Sequence, residues 1–290
     1  MRRCAAWLVT GALLGCTPDT FETTDAATDA PVVDGAMGSD ASCASGDGGL
    51  AAVECKVLLW LIADDVVTTG PPAYTVASWP DHSMQASTHI ANAEGTAACE
   101  SVGIHAMPSA IQGHTAVTFC GAWLDVTDSA NLQIANEPFA LFAVVKMAAG
   151  GLDQPLFTKS PPLTTALPFT LLAPTANGLT VQGNLSNGVT ATEMLMSGQG
   201  DLSAFRVVSF VRDKSSNDEI YVKVGGNEGQ PQNADSSDSI SEVGTDILIG
   251  ALSSATNEFG GELAELVLAA NTGPLDVGTI ETYLKSKYGL

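Results

Sequence analysis

Acidic side chains are the most abundant residues in this chain that could do chemistry. Five aspartates lie near the ends of predicted strands: Asp64, Asp65, Asp81, Asp125 and Asp128. Calcium is a hard cation that takes about six to eight oxygen ligands, and the loops of a β-sandwich can supply them. Aspartates at strand ends also cap turns, so both interpretations stay open. The five residues are therefore the candidate metal ligands, with Ca²⁺ as the expected ion.

Two glutamates form the nearest approach to a paired-carboxylate catalytic site. Retaining glycosidases hold two carboxylates about 5 Å apart across the scissile bond. Glu262 and Glu265 are three residues apart. On a regular strand this spacing places the two side chains on opposite faces. A divergent glycoside hydrolase is therefore the least favoured function.

Other catalytic and cofactor motifs are missing from the sequence. It contains no Gly-x-Ser-x-Gly nucleophile turn and no glycine-rich phosphate loop before a helix. The four histidines show no metal-binding spacing and are interpreted as loop or surface residues: His82, His89, His105 and His114. We therefore predict no catalytic residues, no nucleotide cofactor and no enzymatic activity.

Three tryptophans could form a stacking surface for sugars. Trp60 and Trp123 fall in predicted strands, and Trp79 belongs to the segment Trp79-Pro80-Asp81. An exposed indole face binds a sugar ring, but a tryptophan in a strand is more often part of the core. The sequence does not decide between these two roles.

The elements that must position these residues are mainly short strands. The chain has 290 residues, of which 45% are hydrophobic. Its 29 glycines and 14 prolines fall within ordinary usage. Short apolar or alternating runs joined by Gly, Asn and Ser predict an all-β sandwich. One helix is predicted at the end of the chain, with Asp276 as its cap and Gly289 as its stop. The predicted strands cover residues 56–63, 116–119, 122–126, 139–147, 154–159, 169–173, 179–182, 190–196, 205–211, 220–224, 246–251 and 261–269.

The charge balance excludes some partners. There are 32 acidic residues against 11 lysines and arginines, giving a formal charge of −21. Nucleic-acid binding by counterion release needs a basic surface, so it is excluded. Anionic membrane surfaces also repel such a chain, and a membrane contact must then be hydrophobic or covalent.

The N-terminus carries an export signal. Arg2 and Arg3 precede an apolar run too short to span a bilayer comfortably, and the run ends in Leu14-Gly15-Cys16. This ending resembles a bacterial lipobox. The resemblance implies removal of residues 1–15 and lipidation of Cys16, with acyl chains as the anchor. Thr17 rather than Asp follows the cysteine, which favours the outer membrane, on its periplasmic or surface side.

The segment 16–54 is predicted to be a disordered tether. From residue 17 it contains eight acidic residues, no lysine or arginine and a single aromatic residue. Such a composition cannot bury enough apolar area to fold, and its charges extend it. Four cysteines remain in the exported chain, and we favour the pairs Cys43–Cys55 and Cys99–Cys120 among the three possible pairings because short loops close most readily.

The globular part resembles a known family. Leu59-Trp60, Trp79-Pro80-Asp81 and Phe119-Cys120-Gly121 are similar to motifs of bacterial laminin-G-like domains, which have a concanavalin A-like jelly roll. The segment from Gly260 to Leu266, followed by Tyr283-Leu284 and Lys287-Tyr288-Gly289, resembles the family's closing strand and terminal helix. The resemblance covers residues 57–290 and implies a jelly-roll sandwich that often holds a calcium ion. Cys120 stands where the family has Asp.

These observations predict an anchored binding protein. The chain divides into a signal peptide (1–15), a lipidated acidic tether (16–54) and a jelly-roll domain (55–290). The favoured function is a non-catalytic module that presents its sandwich to a glycan or a surface protein. A structural or scaffold lipoprotein of the envelope is the alternative.

Overall fold

The structure is a computed structural model of the full chain. It describes residues 50, 53–70, 74–84, 89–94, 103–134, 136–147, 154–159, 169–173, 180–185, 194–198, 201–215, 217–233, 244–253 and 256–290. The predicted lipidation site Cys16, most of the tether, Cys43 and Cys99 lie outside these residues.

Twenty strands and one helix make up the described domain. The strands in chain order are β1 (Val57–Ile62), β2 (Val67–Thr68), β3 (Val76–Pro80), β4 (Ile90–Glu94), β5 (His105–Ile111), β6 (His114–Cys120), β7 (Trp123–Val126), β8 (Phe139–Met147), β9 (Gln154–Lys159), β10 (Phe169–Ala173), β11 (Thr180–Leu185), β12 (Met194–Gly198), β13 (Arg206–Asp213), β14 (Glu219–Val224), β15 (Asn227–Glu228), β16 (Gln232–Asn233), β17 (Ile247–Ile249), β18 (Ala251–Ser253), β19 (Thr256–Glu258) and β20 (Gly260–Ala270). The helix α1 spans Pro274–Tyr288.

The strands form two large antiparallel sheets. The first has the order β15-β14-β13-β8-β20-β6-β5, with β1 also paired to β20 and β16 to β14. The second has the order β12-β11-β10-β9-β17-β7-β4-β3-β2, and β18 and β19 form a separate hairpin. The predicted all-β sandwich of two antiparallel sheets with a C-terminal helix is thus confirmed.

The main hydrophobic core contains inward-facing side chains of both sheets. Phe119, Phe210 and Leu268 from the first sheet pack in one cluster with Trp79 and Phe157 from the second. The chain crosses from one sheet to the other between β6 and β7, and Gly121 makes this crossing in the left-handed region with a φ of 70°. The predicted turn at Cys120-Gly121 therefore joins two sheets rather than two paired strands.

A second apolar layer lies between the first sheet and α1. Val277, Ile280 and Leu284 of the helix pack in one cluster with Phe142 and Val207 on the outer face of that sheet. The central strand β8 is consequently buried on both faces, which explains why its sequence is almost continuously apolar. The alternation predicted for residues 205–211 is real, but both of its faces are covered.

The helix begins and ends where the sequence predicts, with one difference at its start. Gly273 is the cap residue, Pro274 opens the helix, and the Asp276 side chain accepts the Gly273 amide hydrogen at 2.7 Å from inside the first turn. Gly289 ends the helix in the left-handed region with a φ of 65°. No helix among the described residues combines the length and apolar character that crossing a membrane requires.

A buried carboxylate fastens α1 to the first sheet. Glu265 of β20 has no exposed surface, and its two oxygens accept hydrogen bonds from Trp60 Nε1 at 2.7 Å, Lys287 Nζ at 2.6 Å and Tyr288 Oη at 2.7 Å. Burial and the neighbouring Glu265 charge raise the pKa of Tyr288 far above its ordinary value. The tyrosine hydroxyl therefore stays a donor throughout the working pH range.

The packed domain starts a few residues before its predicted boundary. Leu50 and Val53, which the sequence assigns to the tether, are buried in the same layer as the α1 side chains. Four strands that the sequence analysis missed, β2 to β5, follow β1 and supply one end of each sheet. Their sequences are short and mixed in polarity, so no periodic pattern marks them.

Candidate functional site

The three candidate tryptophans occupy three different environments. Trp79 is fully buried in the main core. Trp60 is half-buried beside α1, where its ring meets the edge of Tyr283 at 6.1 Å between centroids. Trp123 is half-buried on β7 and faces away from the core, because its neighbour Leu124 is buried in the core. The structure therefore does not join the three residues into one stacking surface, and Trp123 alone lies on the outer face of the second sheet.

Polar side chains surround Trp123 on this outer face. Glu94 of β4 lies directly opposite Trp123, and Asn92 lies directly opposite Asp125. Asn92 and Glu94 are exposed and Asp125 is half-buried. The adjacent pair, Ala91 and Val126, points the other way and is buried in the core. We call Asn92, Glu94, Trp123 and Asp125 the β4–β7 face. It combines one indole ring with amide and carboxylate groups, which is the combination that orients a sugar ring.

The β4–β7 face is strongly acidic. Asp125 is partly desolvated and lies near the carboxylates of Asp246 and Glu94, and these effects together raise its pKa to about 6. The carboxyl group of Asp125 is therefore protonated at mildly acidic pH and charged at neutral pH. A neutral carboxyl can donate a hydrogen bond, so the hydrogen-bonding character of this face changes within the pH range of natural environments.

The five predicted calcium ligands are not brought together. Asp64 contacts His114 at 2.6 Å, Asp65 contacts His82 at 3.3 Å, and Asp81 contacts His89 at 3.0 Å. Asp125 lies on the β4–β7 face, and Asp128 contacts Lys159 at 2.7 Å. Within the described part of the chain, no group of three or more His, Cys, Asp or Glu side chains is placed to hold a metal ion. Calcium binding itself stays a prediction.

Two of the candidate ligands instead anchor loops. The Asp64 carboxylate accepts the Thr115 amide at 2.7 Å, and these bonds with His114 outweigh its burial and lower its pKa. Asp128 accepts the Gly244 amide at 2.7 Å as well as the amine of Lys159, which has no exposed surface. Asp64 and Asp128 therefore each link their own loop to a distant part of the chain, and their role as metal ligands stays a prediction.

The glutamate pair of β20 differs from its expected arrangement. The pairing register with β8 shifts between Leu263 and Glu265, so Ala264 is an extra residue in the strand. Leu263 and Leu266 both face the main core, and the bulge therefore leaves Glu262 and Glu265 on the same side of the sheet. The expectation of opposite faces is wrong for this reason. Glu262 is paired with Lys146 at 2.7 Å and Glu265 is buried under α1, so neither is a free carboxylate.

Two of the four cysteines of the predicted disulfides lie among the described residues. Cys55 and Cys120 are each disulfide-bonded. Cys43 and Cys99 lie outside the described residues, so the pairing Cys43–Cys55 and Cys99–Cys120 stays a prediction. Cys120 ends β6 opposite Gly260 of β20, at the point where the chain leaves the first sheet.

Two cationic side chains line a separate pocket of the domain. A pocket of about 310 Å³ lies between the end of α1 and the β13–β14 edge of the first sheet. Arg206 and Lys285 line it together with Asp201 and Asn227. Lys285 is paired with Glu281, and Asp201 lies near Arg206, so the two cations of this pocket are balanced by two carboxylates.

Similar solved structures are β-sandwich domains. The binding domain of botulinum neurotoxin DC, solved with rat synaptotagmin II, has a TM-score of 0.54 at 10% identity, covering 81% of this chain and 53% of that chain. A botulinum neurotoxin type C structure has a TM-score of 0.53 at 8% identity, again covering 81% of this chain and 52% of the other. This chain thus spans about half the length of either toxin structure. The carbohydrate-binding module CBM40 of a Ruminococcus gnavus sialidase matches with a TM-score of 0.42 at 18% identity, covering 51% of this chain and 84% of the module. No protein-family model matches the chain, and the comparison with curated proteins found no match.

Proposed function

We propose that this chain is an anchored binding protein whose sandwich recognises a glycan through the β4–β7 face. The observation that carries the proposal is the pairing of Trp123 with Glu94 and Asp125 on an outward sheet surface. An indole ring stacks on the apolar face of a sugar, and the flanking carboxylate and amide groups bind its hydroxyls. Binding of this kind does not require cleavage of the glycan.

The similar toxin structures support a recognition role. One binding domain was solved with SialylT, and cell entry of the type C toxin depends on two ganglioside molecules. The same binding domain, that of botulinum neurotoxin DC, was also solved with a protein partner, synaptotagmin II. We therefore keep a surface protein as the second ligand class for this chain.

The proposed setting is the bacterial outer membrane, on its periplasmic or surface side. Lipidation of Cys16 would anchor the chain, and the acidic segment 16–54 would hold the laminin-G-like domain away from the lipid headgroups. A scaffold lipoprotein would share this anchor and tether. It would differ in having no glycan affinity.

A glycan screen with the full chain tests the proposal. We expect Trp123→Ala to weaken binding at least about tenfold, because stacking on an aromatic ring contributes on the order of 1–3 kcal/mol. Trp60→Phe is the matched aromatic control, since Trp60 lies beside α1 and should leave binding unchanged. Arg206→Ala separates the two surfaces: loss of binding in this variant alone would move the site to the cationic pocket.

Chelation tests the calcium prediction in the same screen. Binding that is lost with a chelator and restored by Ca²⁺ would support a calcium-dependent lectin. Binding that is indifferent to the chelator would refute the calcium prediction and leave Trp123 as the main contact. No binding to any glycan, with the chain folded, would refute the glycan proposal in favour of a protein ligand or a scaffold.

A further inference from the structure

Three loop residues at one end of the sandwich form a hydrogen-bonded chain. His89 Nδ1 lies 3.0 Å from Asp81 Oδ2, and His89 Nε2 lies 2.7 Å from Ser129 Oγ. The three residues come from the end of β3, the start of β4 and the loop after β7. These strands are neighbours in the antiparallel order β7-β4-β3, so the three chain positions meet at the same edge of the sheet.

The hydrogen bond with Asp81 shows which ring nitrogen of His89 carries a proton. The Asp81 side chain is fully buried, and although burial opposes its charge, hydrogen bonds from His89, Ser83 and the Trp60 amide outweigh burial and lower its pKa. A charged carboxylate only accepts hydrogen bonds, so His89 Nδ1 must carry a proton. In the neutral imidazole Nε2 is then an acceptor, and Ser129 Oγ–H must donate to it.

This is the arrangement that activates a serine nucleophile. A hydroxyl becomes nucleophilic when a base within hydrogen-bond reach takes its proton and a third group orients that base. Ser129 Oγ, His89 Nε2 and Asp81 Oδ2 meet both conditions. Ser129 is half-buried, whereas His89 is 6% exposed, so Ser129 is the more accessible of the two residues.

The loop that carries Ser129 is held rigidly. Its neighbour Asp128 accepts hydrogen bonds from Lys159 Nζ and the Gly244 amide, each at 2.7 Å, and the Asp128 amide donates to Asp246 Oδ1 at 2.7 Å. Lys159 is fully buried, so moving Asp128 away would take a carboxylate from a buried ammonium group. The Ser129 hydroxyl is therefore preorganised on His89 rather than free to rotate with a mobile loop.

We propose that Ser129, His89 and Asp81 form a serine-hydrolase triad that acts on carboxylic esters. This activity is independent of the proposed glycan binding.

The reaction follows from the positions of the protons. Ser129 Oγ attacks the ester carbonyl carbon while its proton passes to His89 Nε2, and Asp81 stabilises the imidazolium. The intermediate then releases the alcohol, which takes the proton from Nε2, and the acyl group remains on Ser129. Water then attacks this acyl ester and gives a proton to His89 Nε2. The second intermediate releases the carboxylic acid, and Ser129 Oγ takes the proton back from His89.

Labelling with a fluorophosphonate tests the proposal on the full chain. The activated serine displaces fluoride and forms a stable bond to phosphorus, which peptide mass spectrometry locates. We expect modification of Ser129, hydrolysis of p-nitrophenyl butyrate, and loss of both in Ser129→Ala. The hydrolysis rate should fall at least about 100-fold in Ser129→Ala and in His89→Gln. Ser203→Ala is the matched control and should retain the full rate. Ser203 is exposed, and its amide donates a hydrogen bond to Asp201.

The outcomes separate a catalytic triad from a structural clamp. No label on Ser129, a label on another serine, or equal hydrolysis by the wild-type chain and Ser129→Ala would overturn the proposal. Thermal unfolding of each variant shows whether it is folded, and Ser129→Ala decides the question if His89→Gln does not fold. Glycan binding by Ser129→Ala should be unchanged, so failure of the triad leaves the binding proposal untouched.

Discussion

Replacing Asp125 with Asn should stabilise the domain at neutral pH. In the folded chain burial, Asp246 and Glu94 raise the pKa of Asp125 from 3.8 to about 6. A group with a raised pKa in the folded state contributes stability below its unfolded pKa and loses it as pH rises through the folded value. The ionised Asp125 is thus a cost at pH 7, and Asp125→Asn removes this cost while keeping the shape of the side chain.

The size of the effect follows from the same two values. A change from 3.8 to about 6 corresponds to about 3 kcal/mol if none of it is screened. Asp125 is half-buried, so solvent screening reduces the effect to about 1 kcal/mol. In a domain of this size that is a rise of about 2–4 °C in Tm. The difference between the wild-type chain and Asp125→Asn should be largest at pH 7 and shrink towards zero by about pH 4.

Thermal unfolding of both chains across this pH range measures the effect. Asp201→Asn is the control, because Asp201 is an exposed aspartate whose hydrogen bonds with Ser203 lower its pKa, and its replacement should not raise Tm at neutral pH. A destabilised Asp125→Asn chain at pH 7, or a difference that does not change with pH, would show that the carboxylates of the β4–β7 face do not repel one another. The electrostatic description of the candidate site would then be incorrect.

Three other substitutions test the packing that supports the site. Glu265→Ala should cost about 3–5 kcal/mol in chemical denaturation, because Trp60 Nε1 and Tyr288 Oη would lose their acceptor and the part-buried Lys287 its ion-pair partner; Glu262→Ala, on the same strand but part-exposed, should cost clearly less. Ile280→Ala should lower the free energy of unfolding by about 2–5 kcal/mol through a cavity under α1, whereas Leu275→Ala, 87% exposed on the same helix, should have little effect. Gly250→Ala should reduce Tm markedly, since its φ is +90° and an added Cβ would lie 2.6 Å from the Phe119 ring; an unchanged Tm would contradict that close contact.

The fold could be predicted from the sequence because its central elements carry strong local patterns. The continuous apolar run at residues 139–147 matches β8 residue for residue, and the polar loop between β13 and β14 marks a hairpin. The helix was recognisable from its apolar spacing and from Gly289. In each case the signal lies within about ten adjacent residues, and burial on both faces strengthens it.

The candidate sites depend on contacts between distant residues, which no local pattern records. Asp81, His89 and Ser129 have no motif spacing, and they meet only because β3, β4 and β7 are neighbours in the second sheet. The sequence analysis missed β3 and β4 because they are short and polar, so it could not place His89 beside Asp81. The bulge at Ala264 is a similar case, since one extra residue moved Glu262 and Glu265 to the same side of the sheet.

The position of α1 determines which surface can bind a ligand. The helix covers the outer face of the first sheet with Ile280 and Leu284, and Glu265 holds it there through Lys287 and Tyr288. A ligand on this face would have to displace α1 and leave the buried charge of Glu265 without its partners, which costs several kcal/mol. The β4–β7 face has no such cover among its own strands, since Asn92 and Glu94 are exposed. We therefore expect recognition on the second sheet, because α1 covers the outer face of the first.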